Sequence, residues 1–309
     1  MKAKSLKVAL AAALLAAGVA VAQDPAPVSG GSIVVAITAE PPGWDPSAST
    51  SQEIPRVVYD NVLQGLVRFD RTGEIVPALA TSWETSEDGL TWTFHLREGV
   101  TFHDGSAFDA ADVVEKFERA TDPDSGHTNA QYYEAIESVE AVDDHTVAFH
   151  LSRPNSSLLY DLARPDSVIN PSGTAETQRT QPVGTGPFVF AEYVPGSHVR
   201  LERFDGYWEE GLPYLDSAEF RIMSDANARF AALQAGDIDM IGVALLPEQF
   251  QQVLANPDLK GTQGSGTAEI TMALNNAREP LNDPRVRQAI THAIDKQAIV
   301  QGALFGLGT

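Results

Sequence analysis

Three histidines and an aspartate come nearest to a reactive cluster in this chain. His95, His103 and Asp104 fall within one short stretch, and His150 sits in a Phe-His-Leu triplet like that around His95. Imidazoles and a carboxylate so placed are the donors that hold zinc and activate a water, so a secreted metal-dependent hydrolase is the reaction class they would serve. Two features oppose it. His95 and His150 alternate with apolar residues and so fall on the polar face of their strands, and no His-x-x-x-His spacing occurs. A serine nucleophile fares no better. Gly264-Ser-Gly266 lacks the Gly-x-Ser-x-Gly frame of a strand-to-helix elbow, and Gly105-Ser106 lies in a loop before a capped helix. Gly184-x-Gly186 is followed by Pro187 and then a strand. A phosphate cradle needs a helix N-terminus there, so a tight turn is expected. Glu209-Glu210 and Asp237-x-Asp239 are expected to be solvated, since nothing in their flanks suggests the apolar burial that would raise a carboxyl pKa into a catalytic range. No catalytic residue, metal or cofactor is assigned.

The elements that would position such residues mix helix and sheet. Ser32 to Thr38 is a nearly continuous β-branched run, expected as a strand buried on both faces. Ser51 to Gly65 places Ile54, Val57, Val58 and then Val62, Leu63 and Leu66 at helical spacings, with Gly65 as the expected left-handed cap. Phe69 to Glu74 reads as a hairpin turn around Gly73. Leu90 to Arg97 alternates Leu90, Trp92, Phe94 and Leu96 against Thr91, Thr93, His95 and Arg97, and Thr146 to Arg153 repeats the pattern. Between them Asp109 and Asp112 form an acidic capping box before Val113, Val114 and Phe117. Two further strands are expected at Ser197 to Phe204 and Ala218 to Met223. A helix capped by Ser224 or Asp225 follows and stops at Gly236. The best amphipathic helix starts at Asn282 or Asp283, with Pro284 in its first turn and Val286, Ala289, Ile290, Ala293 and Ile294 on one face.

Composition removes several function classes. The 309 residues carry 42 acidic against 21 basic side chains, a net charge of -21. Phosphate backbones and anionic lipid headgroups are repelled by such a surface, so neither nucleic acid nor membrane is an expected partner. Cysteine is absent, which leaves no disulfide, no thiolate zinc site and no lipid-bearing thiol. Lys2, Lys4 and Lys7 precede a 15-residue apolar run from Val8 to Ala22, ending Ala20-Val21-Ala22. This is the pattern of an export signal cleaved after Ala22, and the run is short of the ~20 residues that cross a bilayer. A periplasmic location, with residues 1–22 removed and Asp24 to Gly31 as a linker, is expected. Chains of this length usually form two or more domains.

The order of motifs is more informative than any one of them. Val76-Pro-Ala-Leu-Ala-Thr-Ser-Trp83, Glu87 to Gly105 and Ala110-Ala-Asp-Val113 resemble the signature of the family 5 extracellular solute-binding proteins, the oligopeptide, dipeptide and nickel components of ABC importers. Gly184-Thr-Gly-Pro-Phe188, Leu201-Glu-Arg203 with Tyr207-Trp208, Leu233 to Asp239, and Asn282 to Ala289 with Ala293-Ile-Asp295 recur in the same order. The resemblance runs from about Gly31 to the last residue. It implies a periplasmic-binding-protein-like two-lobe α/β fold (type II) with an inserted β-rich domain. Lobe I would take residues 23–65 and 161–265, the inserted domain 66–160, and lobe II would begin at 266.

The family's second lobe extends past residue 309, so most of that lobe is expected to be missing. The resemblance implies a non-enzymatic monomer that encloses a small solute, such as a peptide, between its lobes and delivers it to membrane permease subunits. Ligand-facing positions are implied in two places. One is the loop after the first strand, with Trp44, Asp45, Ser51 and Gln52; the other is the strand Ala268 to Asn275, with Thr271 and Asn275. Each has a structural alternative: Trp44 as a core plug, Asp45 in an Asx turn before Pro46, Asn275 at a strand end. Two other functions remain open at this point: a truncated non-transporting remnant or interaction module, and the metal-dependent hydrolase.

Overall fold

The computed structural model describes residues 27–264 and 271–307. The export signal therefore lies outside the described residues, as do positions 268 to 270 of the strand expected before Asn275. The rest is organised around two sheets with separate cores.

The larger sheet has five strands in the order β11-β1-β10-β9-β8: β1 (Ser32–Ile37), β8 (Phe188–Val194), β9 (His198–Arg203), β10 (Ser217–Ile222) and β11 (Met240–Ile241). β1 is parallel to both of its neighbours, β10 and β11, while β8, β9 and β10 form an antiparallel meander. A strand flanked on both sides and covered on both faces must be apolar throughout. That is why Val35, Ala36 and Ile37 are buried in succession rather than alternately. Its core gathers Val35, Ile37, Trp44, Ile54, Val57, Val58, Val62, Leu63, Phe188, Val199, Leu201 and Phe220.

The smaller sheet has four antiparallel strands in the order β4-β5-β7-β6: β4 (Ala80–Thr85), β5 (Thr91–Leu96), β6 (Ile136–Asp143) and β7 (Thr146–Leu151). Phe94, Leu96, Val147, Phe149 and Leu151 face a core closed by α2 (Ala110–Thr121), whose Val113 and Phe117 are buried. The Phe149 ring lies 5.2 Å from Phe94 and 4.9 Å from Phe117. α2 begins as the sequence requires: Ala111 N donates to Asp109 Oδ1 at 2.8 Å, and Asp109 N donates to Asp112 Oδ2 at 3.0 Å. A two-stranded ribbon, β2 (Val67–Phe69) with β3 (Ile75–Pro77), turns at Gly73 with φ of 88°. α3 (Leu158–Leu162) returns the chain towards the large sheet.

Two expectations fail. The helix from 51 stops early: α1 spans Glu53–Val58, and Gly65 is not a left-handed cap. Tyr59 is already extended, and Asp60 turns the chain with φ of 58°. The apolar residues Val62, Leu63 and Leu66 are buried because the two cores meet there, not because they share a helix face. Residues 271–275 form no strand, since no neighbouring strand is present among the described residues to supply ladder hydrogen bonds.

α4 (Ala226–Ala235) is capped by Asp225, whose Oδ1 accepts from Ala228 N at 2.7 Å, and ends at Gly236 with φ of 78°. α5 (Pro247–Ala255) follows β11. α6 (Pro284–Ala293), capped by Asp283, and α7 (Lys296–Ala303), capped by Asp295, bury no residue. The predicted apolar face of α6 is thus left half exposed.

Candidate functional site

In open sheets with parallel strands, ligands bind outside the carboxyl ends of those strands. Here that edge is where Thr38, Met223 and Gly242 follow β1, β10 and β11. Two arginines occupy it. Arg229, nearly buried on α4, donates to the Met223 and Ser224 carbonyls at 2.5 and 2.9 Å. Arg56, on α1, donates to the Gly242 carbonyl at 2.5 Å. Strand ends project carbonyls that have lost their ladder partners, and a guanidinium answers several of them at once.

The loop from β1 to α1 carries four of the six implied ligand positions, and they divide sharply. Trp44 is 2% exposed, its ring 4.9 Å from Phe190 and 5.1 Å from Tyr193. Asp45 is also buried, and its Oδ1 accepts from Ser47 N at 2.8 Å and from Ser47 Oγ at 2.6 Å, closing an Asx turn into the 3-10 turn Pro46–Ala48. Both face inward. Ser51 is half-buried, with its N donating to Ser49 Oγ at 3.2 Å, and Gln52 is exposed at the start of α1. Thr271 and Asn275 are exposed in the segment that lacks a strand. Asn275 Oδ1 accepts from Ala277 N at 3.0 Å.

Behind the Trp44 loop lies a set of buried polar groups that sequence reasoning missed. Lys116, 6% exposed on α2, sits among Asp45, Asp166 and Arg119; burial pulls its pKa down to about 8 despite the two carboxylates. Tyr133 Oη lies 2.6 Å from Ser167 Oγ and donates to Asp166 Oδ2 at 3.1 Å. Thr128 donates twice to the Ser47 carbonyl, from N at 2.9 Å and from Oγ1 at 3.0 Å. Burial, with the nearby Lys116 charge adding, lowers the His127 pKa to about 4. These contacts join the small-sheet unit to the loop after β1. The one readable signal was Lys116 itself, placed at i+3 from Val113 on the apolar side of a helix.

The histidine cluster is dispersed. His103 Nε2 donates to the Gly186 carbonyl at 2.9 Å and His103 Nδ1 accepts from Gly184 N at 3.4 Å, so both ring nitrogens hold the Gly184–Gly186 segment. His95 lies opposite Thr146, and His150 opposite Thr91, which places them at opposite ends of the β5·β7 ladder. Each faces its own glutamate instead, His95 with Glu84 at 3.9 Å and His150 with Glu140 at 3.6 Å. Among the described residues no group of three or more His, Asp or Glu is placed to hold a metal.

The glycines of Gly184-x-Gly186 serve close approach rather than a turn alone. A Cβ at Gly184 would lie 2.2 Å from Val62 O, and one at Gly186 would lie 2.5 Å from Asn61 O. Thr185, between them, is fully buried and donates to Gln64 Oε1 at 3.0 Å, which also accepts from Trp208 Nε1 at 2.9 Å.

Residues 74–309 match the pattern of the bacterial extracellular solute-binding proteins, family 5, middle region. The chain is 36% identical over 304 residues to the glutathione-binding protein GsiB of Pectobacterium atrosepticum, covering 96% of this chain and 58% of that protein. It is 32% identical over 311 residues to the dipeptide-binding protein of Escherichia coli K12, covering 92% of this chain and 58% of the relative. Among solved structures it superposes on the periplasmic binding protein DppA of Helicobacter pylori in complex with the peptide STSA. The TM-score is 0.79 at 30% identity, over 90% of this chain and 59% of that one. The oligopeptide-binding protein AppA of Bacillus subtilis, in complex with a nonapeptide, gives a TM-score of 0.77 at 30% identity, over 91% and 57%. The fold is thus that of the periplasmic binding proteins, and the chain spans somewhat over half the length of the relatives it matches.

Proposed function

The chain belongs to the bacterial extracellular solute-binding proteins of family 5, and from that premise we propose that it captures a peptide or similar small solute for an ABC importer. It acts in the periplasm, without altering the solute, and hands it to membrane permease subunits. Residues 23–65 and 161–265 make the first lobe of the cleft, 66–160 the inserted domain, and the second lobe begins at 266. Solute bound between two lobes contacts both, and this selects the closed arrangement.

The observation that carries this reading is the superposition, over nine-tenths of the chain, on a periplasmic binding protein in complex with a peptide. The arrangement at the carboxyl ends of β1, β10 and β11 supports it, since Ser51 and Gln52 immediately precede Glu53 and Arg56, which bond Thr38 and Gly242 at that edge, and carry polar side chains suited to the main-chain amides of a peptide. Thr271 and Asn275 are the contacts proposed from the opposite side. Trp44 and Asp45 shape the loop from within.

Titration of the exported product of the whole reading frame with glutathione, dipeptides and a tripeptide library tests the proposal. Saturable binding near micromolar Kd, about 8 kcal/mol, is expected. Failure to bind any of them, or turnover of any one, would overturn it.

A further inference from the structure

One arginine closes over the carboxyl ends of two neighbouring parallel strands. β1 and β11 run side by side, so Thr38 and Gly242 leave the sheet at the same edge. Arg56 donates to the Gly242 carbonyl at 2.5 Å, and its Nε lies 3.2 Å from Glu53 Oε2. Glu53 Oε1 in turn accepts from Thr38 Oγ1 at 2.6 Å. Polar contact is therefore unbroken from the end of β11, through two side chains of α1, to the end of β1.

α1 has six residues, at most half of the roughly 12–15 that an isolated helix needs to hold itself in water. Its inner face is anchored by Ile54, Val57 and Val58, all buried. Its first turn has only Ile54 as an apolar anchor and is weakly closed: Gln52, which precedes it, makes no capping bond, and the Arg56 N to Gln52 O bond is long at 3.3 Å. What fixes that turn is the Glu53 and Arg56 pair. The two charges are close yet not aligned as a hydrogen bond, since neither Glu53 Oε2 nor Arg56 Nε makes one. The guanidinium is thus oriented by the Gly242 carbonyl rather than by the glutamate.

Resting on the solute-site reading above, we propose that Arg56 is a positioning residue for Ser51 and Gln52. It touches no solute. It sets where these two side chains stand relative to the strand ends, and it ties that position to the segment leaving β11 through Gly242. The fork geometry matters: one edge of the guanidinium meets Glu53 while a terminal nitrogen meets Gly242, and an ammonium is a single point charge that cannot span both.

Hydrogen exchange on the 309-residue chain after export, in wild type and in Arg56→Met and Arg56→Lys, decides the matter. The expected result for Arg56→Met is at least tenfold loss of protection at the hydrogen-bonded amides of Ser51, Arg56 and Tyr59, with β9 and β10 unchanged; Arg56→Lys is expected to fall between. Unchanged protection at these amides, or an equal acceleration throughout both sheets, would overturn the proposal. With glutathione and the dipeptide Met-Leu as probes, any binding seen in wild type is expected to weaken at least tenfold in Arg56→Met, and equal affinity would also overturn it. A wild type that binds neither probe counts against the solute-site reading, while the exchange data alone still judge Arg56.

Discussion

Gly186 and Asn61 approach backbone to backbone so tightly that no side chain fits between them. A Cβ on residue 186 would stand 2.5 Å from the Asn61 carbonyl oxygen and 2.8 Å from its carbon. Phe188 N donates to that same carbonyl at 2.9 Å, so the two segments cannot separate without losing a hydrogen bond as well. Gly186→Ala is therefore expected to destabilise the protein by about 1–3 kcal/mol, the usual range for forcing atoms into filled space. Urea denaturation checks this, and an unchanged midpoint would show that the contact yields.

Trp44 distinguishes a packing role from a solute-binding one. With its ring enclosed by Phe190 and Tyr193, Trp44→Ala should cost about 3–5 kcal/mol. Gln52→Ala, exposed, should leave stability within about 0.5 kcal/mol while weakening solute binding. Thermal melts paired with titration separate the two, and a solute-binding defect in Trp44→Ala without loss of stability would contradict the assignment.

Asp60 works against the fold at neutral pH. Burial raises its carboxyl pKa to about 6, with Arg68 opposing and Glu209 adding to the rise. The folded state then holds the proton more tightly than the unfolded one, so stability is fullest below the unfolded value of about 4 and is lost as pH rises through 6. Asp60→Asn should be more stable than wild type at pH 7.5, on the order of 1–3 kcal/mol, with the gap closing below pH 4. Asparagine also tolerates the left-handed backbone at this position. Chemical denaturation at the two pH values reads the difference.

Lys116 has the opposite sign. Its pKa in the folded protein is about 8 against 10.5 for the free side chain, so between those values the unfolded chain binds more protons. Stability should rise with pH from about 8, and Lys116→Met should abolish that rise. Measurements are best kept below about pH 9, where the buried tyrosines stay protonated in both states. A wild-type curve as flat as that of the methionine variant would refute this.

What the sequence made legible was local. The Asp109 and Asp112 capping box, the alternation of Phe94 and Leu96 against Thr93 and His95, and the Gly236 stop all act within a few residues, and all are present in the fold. Long-range contacts were not legible. Val62, Leu63 and Leu66 read as a helix face because burial between two cores leaves the same apolar spacing. The Gly184-x-Gly186 pair reads as a turn because nothing nearby announces the backbone of Asn61 and Val62. In the candidate site, Glu53 and Arg56 carried a visible i, i+3 acid–base spacing, but their partners Thr38 and Gly242 become adjacent only through the parallel pairing of β1 with β11.

That pairing also constrains how the molecule comes into being. The first strand of the large sheet spans residues 32–37, yet both strands that flank it come from residues 217–241. A β-branched, sticky segment near the start of the chain thus waits, unpaired, while about two hundred further residues emerge, whereas β5 and β7 can close among neighbours within that interval. Closing so wide a loop is slow, and a lone apolar strand invites aggregation. Assembly is expected to begin in the small-sheet unit and finish with the insertion of β1, the earliest-made strand being the last to find its place.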